Sequence, residues 1–155
     1  MDAMHLEGEP ISWNDGFLLG YIPMDHVHRE FVDCVTALQC APEDGLVPAM
    51  DALVKHCEAH FAEENRWMLE TEFPARECHV NEHAAVLQSV HEVRQLLVAG
   101  NVTVCRRLGD ELANWFPGHA DYLDSALAHW MCKRTLGGKP VILRRNLKSA
   151  VTPLD

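Results

Sequence analysis

No apolar run in this sequence approaches the roughly 18 to 20 residues needed to cross a bilayer, which excludes a membrane-spanning helix. The basic start of a secretory signal is missing too: "MDAMHLEGEP" carries acidic residues and no basic one. Cys34, Cys40, Cys57, Cys78, Cys105 and Cys132 form no CxxC and keep no close regular spacing, which argues against a disulfide framework. These absences predict a soluble cytoplasmic protein whose reduced thiols act as small buried hydrophobes. Positive charge is scarce in most of the chain. Residues 1–132 hold 7 basic side chains against 22 acidic, a balance of −15, which disfavours a nucleic-acid partner. Residues 133–155 reverse that with 6 basic and 1 acidic. This tail, "KRTLGGKPVILRRNLKSAV", is expected either to be solvated or to dock on the acidic body through Val141, Ile142 and Leu143.

What is present is ordinary globular material: 155 residues, 48% of them apolar, enough for one domain with a real core. Residues 1–23 read as an N-terminal arm with apolar anchors Ile11, Trp13, Phe17 and Leu18, because Gly and Pro interrupt any helical period there. Beyond it the spacing predicts four helices. The first is capped by Asp25 and carries Val27, Phe31, Val35 and Leu38. The second runs from about Pro48 to Glu70, the third from about Arg76 to Val98, and the fourth from about Val102 to Cys132. "APEDG", "TEFPA" and "AGN" separate them, and "LGGKP" ends the last; "PVIL" in the tail is the one stretch with strand character. Four long helices with short loops predict an all-α fold, an antiparallel up-down-up-down four-helix bundle over residues 24–132, with residues 133–155 as a short C-terminal tail.

Nine of the ten histidines fall on those helices. Residues i and i+4 share a helix face, so His79 and His83 can grip one ion, and His60 with Glu64 can do the same. His28 lies early in the first helix, and His119 and Asp124 lie in the fourth. Five imidazoles and two carboxylates are too many for one tetrahedral zinc. Mixed imidazole and carboxylate suits iron, and a carboxylate can bridge, so a two-metal centre fits the ligand count. His5, His26, His91 and His129 read as surface or ordinary core residues; His56 could back a ligand or compete as one, but is read as inert. Asp124 follows His119 by five residues, about 140° around a regular helix. Both can face one site if the carboxylate reaches further or the helix widens locally into a π-type turn, and an irregular fourth helix is predicted near residues 113–124, where Pro117 removes a backbone donor.

The stretches "SWNDGFLLGYIPMDHVH", "HFAEENRWM", "FPARECHVNEH" and "WFPGHADYLD" resemble the successive signatures of the hemerythrins, the single-domain bacterial type in particular. The resemblance covers roughly residues 11–132 and implies a non-haem di-iron centre. His79, His83 and His119 would hold one iron and His28 and His60 the other. Glu64, Asp124 and a solvent-derived oxo or hydroxo oxygen would bridge the pair. In that family O2 binds reversibly at the open position of the two-histidine iron, for storage, transport or scavenging, without catalysis. Phe61, Trp67, Trp115 and Phe116 would line the O2 pocket. Two departures stand out: Val27 occupies a place where the family often has glutamine, and His56 one where it often has tyrosine.

Other functions leave weaker traces. A di-iron oxidase or ferritin-like bundle uses Glu-x-x-His pairs, and no histidine here has Glu three residues before it. HExxH is absent, which removes a zincin protease. A redox- or O2-sensing or iron-handling module on the same bundle shares the ligand set. Zinc or another divalent metal can take the place of iron in a recombinant site of this kind.

Overall fold

In the computed structural model, which describes residues 9–138 and 142, the chain forms α1 (Ile22–Cys40), α2 (Leu46–Glu70), α3 (Arg76–Val98), α4 (Val102–His119) and α5 (Ser125–Leu136). A π-helical segment, Ala120–Asp124, joins α4 to α5, so these two make one long irregular fourth rod. α1 packs on α2 and α4, and α3 packs on α2 and α4, which closes the four-helix bundle. Connections as short as 41–45, 71–75 and 99–101 leave consecutive helices no option but to run antiparallel. Among the described residues no helix is long and apolar enough to cross a membrane.

The helix ends refine the sequence expectations. α1 begins at Ile22 rather than at Asp25, because Pro23 is comfortable in a first helical turn. Asp25 instead turns its carboxylate back to accept the backbone N–H groups of Leu19 (2.8 Å) and Gly20 (3.0 Å), which holds the bend into the helix. Asn101 caps α4 by accepting the Val104 N–H at 3.0 Å. α5 continues to Leu136, four residues into the segment assigned to the tail, and stops where Gly137 adopts φ 77°. The tail's proposed docking and its "PVIL" strand fall on residues 139–155, outside the described residues apart from Ile142. The arm is anchored to α1: Gln39 accepts the Ile11 N–H at 2.8 Å, and Thr36 donates to the Ile11 carbonyl.

The core is split in two. Phe31, Leu38, Leu53, Val90, Leu112 and Phe116 belong to one cluster, and Tyr21, Met24, Trp67, Met68, Leu127 and Met131 to the other. Between them lies a layer of buried polar residues: His28, His60, Glu64, His79, His83, His119 and Asp124. Along α1 the order is Met24, His28, Phe31, and along α2 it is Phe61, Glu64, Trp67, so each helix passes from one apolar cluster through the polar layer into the other. Cys57, Cys105 and Cys132 are buried as expected, while Cys40 and Cys78 are exposed; all six cysteines are free.

Candidate metal centre

Seven ionisable side chains buried without compensation cost far more than a bundle's net stability, so their arrangement has to be accounted for. Two carboxylates stand at its centre. Glu64 Oε1 lies 3.2 Å from His83 Nε2 and 3.6 Å from His79 Nε2, while its Oε2 lies 3.0 Å from His60 Nε2 and 3.3 Å from His28 Nε2. Asp124 repeats the pattern. Its Oδ1 is 2.9 Å from His79 Nε2 and 3.3 Å from His119 Nε2, and its Oδ2 is 3.0 Å from His28 Nε2. Each carboxylate therefore gives one oxygen to a three-histidine side and the other to a two-histidine side.

These atoms are close without being satisfied. His79, His83 and His119 Nε2, Glu64 Oε1 and both Asp124 oxygens make no aligned hydrogen bond although they are fully buried. Converging lone pairs that are not aimed at one another's protons are what a cation would satisfy. The donor set agrees, since imidazole and carboxylate together suit iron and other first-row divalent ions. Ligand atoms of Glu64, His79, His83, His119 and Asp124 fall into one group compact enough for an ion, and those of His28, His60 and Glu64 into a second.

The charges of these residues act on one another. Burial pulls His28 down, but Asp124 and then Glu64 overcome it and raise its pKa to about 10. His79 stands at about 9 for the same reasons, burial opposed by Asp124 and Glu64. His119 is also raised, its burial outweighed by Asp124 and Glu82. His83 goes the other way, because burial dominates its contact with Glu64. Burial works against ionising Asp124 and Glu64, yet the surrounding histidines hold both well below the usual carboxylate range.

The seven candidates meet because of local helix geometry. His60 and Glu64, and His79 and His83, are one turn apart on a regular helix. His119 and Asp124 face one site because the π-helical segment Ala120–Asp124 accommodates one extra residue per turn. Deleting Tyr122, 80% exposed in that segment, is therefore expected to restore a regular helix in which the two ligands stand at i and i+4. Inserting an alanine after Tyr122 adds about 100° and turns Asp124 away. Bound metal per chain, measured after loading, should survive the deletion and drop with the insertion.

Other histidines stay outside. His26 is exposed beside Glu30, His91 pairs with Glu58 at 3.1 Å on the surface, and the exposed His129 donates to the Ser125 carbonyl. His56 differs from the expectation of an inert residue: its Nε2 lies 3.2 Å from His60 Nδ1, one helical turn away. Two further participants were not singled out from sequence. Glu82 accepts from His119 Nδ1 at 2.5 Å and from Trp115 Nε1 at 3.2 Å, and Asn65 Oδ1 accepts from His83 Nδ1 at 2.8 Å. Both sit next to a ligand in sequence, in "NEH" and "EEN", but their partners are on other helices, so spacing carries no sign of them. His28 Nδ1 has no partner.

Of the four aromatics expected near the site, three touch its histidines. Phe61 stacks on His83 (centroids 4.3 Å apart, planes within 10°), Trp115 lies 4.3 Å from His119, and Phe116 meets His28 edge-on at 5.1 Å. Trp67 does not belong with them. One turn beyond Glu64 it has already entered the second core cluster, where it packs edge-on against Tyr21 at 5.4 Å. Phe31 lies beside the site instead, 5.8 Å from His60 and 5.1 Å from Phe116.

Fold and site together define a four-helix bundle with a buried cation-binding centre of imidazole and carboxylate. Sequence comparison gives the same answer: the Hemerythrin HHE cation binding domain matches residues 20–130. The chain is 40% identical over 124 residues to a bacteriohemerythrin of Ralstonia nicotianae, covering 80% of this chain and 90% of that protein. It is 25% identical over 115 residues to a myohemerythrin of Riftia pachyptila, covering 74% and 88%. This chain belongs to the hemerythrin family.

Proposed function

We propose that this protein binds O2 reversibly at a non-haem di-iron centre and acts as an oxygen store, carrier or scavenger rather than as an enzyme. The observation that carries this is the division of the two carboxylates, each with one oxygen toward either side of the site. On that basis His79, His83 and His119 would hold one iron and His28 and His60 the other, with Glu64 and Asp124 shared between the two sides. When bound, the two ions supply the electrons for reversible O2 binding. The chain's own residues set the conditions. Three imidazoles against two would leave the side of His28 and His60 with fewer protein ligands, and so with room for O2. Phe31, Phe61 and Phe116 pack around that side and keep water from it, which favours release of the gas over oxidation of the site. Glu82 and Asn65 accept the Nδ1 protons of His119 and His83, so those rings present Nε2 inward. The same reading gives the protein a cytoplasmic location, where thiols such as Cys57 and Cys132 stay reduced.

The test is an optical spectrum of iron-loaded, anaerobically reduced protein, taken before air is admitted, after it, and after the gas is removed. Charge-transfer bands that appear with O2 and fade on its removal are expected. A one-way change to a ferric spectrum would overturn reversible binding and favour redox sensing by the same bundle.

A further inference from the structure

Three of the five converging imidazoles have a hydrogen-bonding partner behind them, and the three partners differ in chemistry. His119 is backed by the Glu82 carboxylate, His83 by the Asn65 amide oxygen, and His60 by the His56 imidazole. Glu82 and Asn65 sit on the three-histidine side. His56 is the sole partner of this kind on the two-histidine side among the described residues, because His28 Nδ1 is unpaired.

The geometry fixes the direction of the His56–His60 bond. His60 turns Nε2 into the site, 3.0 Å from Glu64 Oε2. To offer that nitrogen's lone pair to an ion, His60 must carry its proton on Nδ1. Nδ1 therefore donates, and His56 Nε2, 3.2 Å away, accepts. His56 must then be neutral with its own proton on Nδ1. It is held there by its place on α2 one turn before His60 and by packing of its ring 6.0 Å from Phe31. The contact also differs in kind from the one behind His119. A carboxylate draws the imidazole proton and makes the ring a stronger electron donor, whereas a neutral imidazole does so weakly.

Resting on the proposed di-iron site, we infer that His56 is a positioning residue for the two-histidine side: an uncharged acceptor that fixes His60 in its metal-binding tautomer without adding negative charge behind it. The two sides of the centre are thereby made unequal. The three-histidine side is backed by an anion, and the side with the vacant position is not. Weaker donation at that position favours the ferrous state between O2 encounters, and so slows oxidation of the deoxygenated protein.

Three variants separate acceptor, charge and bulk: His56→Gln keeps a neutral acceptor, His56→Leu removes it, and His56→Glu makes it anionic. Zn2+ binding is measured by chelator competition on metal-stripped protein, with thermal unfolding of the same samples as a check on folding. Wild type and His56→Gln are expected to take two ions with matching affinities. His56→Leu should lose about 10- to 100-fold at one of the two sites and keep the other. In the iron-loaded protein, His56→Glu should oxidise in air about tenfold faster than His56→Gln. Equal zinc affinities in His56→Leu and wild type would overturn the inference, as would a His56→Gln protein as weak as His56→Leu, which would make side-chain bulk the cause. Equal oxidation rates for the Gln and Glu variants would overturn the charge argument. If wild type itself takes up no ion, the metal-centre reading falls, and the positioning role with it.

Discussion

Glu64→Ala is expected to abolish binding of the pair of ions and, with it, any O2-dependent spectrum. Glu64 is the one side chain that reaches four of the five histidines, with Oε1 toward His79 and His83 and Oε2 toward His28 and His60. On the proposed assignment, truncation removes a ligand from both sides at once, whereas losing any single histidine removes one from one side. Metal analysis after loading should find well under one ion per chain, against two in the wild type. The metal-free protein should also weaken. Glu64 is 1% exposed and held ionised by the histidines around it, so its loss leaves buried imidazoles without their counter-charge. Breaking a buried pair in this way typically costs about 3–5 kcal/mol, which urea unfolding of stripped wild type and variant would measure. Two ions bound per Glu64→Ala chain would show that Asp124 alone can bridge, and would remove Glu64 from the centre.

The second large effect is on pH dependence, which metal binding should remove on the alkaline side. In the metal-free protein the pKa of His28 is raised to about 10 and that of His79 to about 9, from 6.5 in both cases. A raised folded-state value contributes stability that is complete below 6.5 and disappears as pH climbs through 9 to 10. His56, lowered to about 4 by burial and by His60 and His28, acts in the other sense: its contribution is present above 6.5 and is lost as pH falls toward 4. His83 is lowered as well, mainly by burial. The metal-free protein should thus be most stable near pH 6.5 and unfold progressively more easily toward pH 10. If these imidazoles ligate ions, bound metal keeps them unprotonated across the neutral and alkaline range, and the alkaline decline should disappear. Loading near pH 7 must also release the protons that His28 and His79 hold, measurable as acidification of a weakly buffered solution. Matching alkaline profiles for stripped and loaded protein would contradict the assignment of these histidines as ligands.

Much of this molecule could be read from the chain because its helices report on themselves. α3 spans Arg76–Val98 as the apolar spacing and the Ala-Gly-Asn stop predicted, and the pairs His60–Glu64 and His79–His83 needed only the regular turn of a helix to be recognised. Even the five-residue interval from His119 to Asp124 pointed to a widened turn as one way to bring both inward, and Ala120–Asp124 is π-helical. The errors come from ends and neighbours. Pro23 looked like a break and is part of the first turn of α1, and Trp67, close to Glu64 in sequence, lies past the polar layer in another cluster.

What the sequence determined by itself is everything with a period: four helices, their order, and which residue types each one turns inward. What only the tertiary structure decided is which atoms meet across helices. It is packing that sends Glu64 and Asp124 to opposite neighbours with different oxygens, puts Glu82 behind His119 and Asn65 behind His83, and lets Phe31 rather than Trp67 border the site. The physical reason is range. A helix ties a residue to partners three or four positions away through its own backbone, while a contact between α3 and α4 depends on how both rods are rotated and shifted, and no local spacing encodes that.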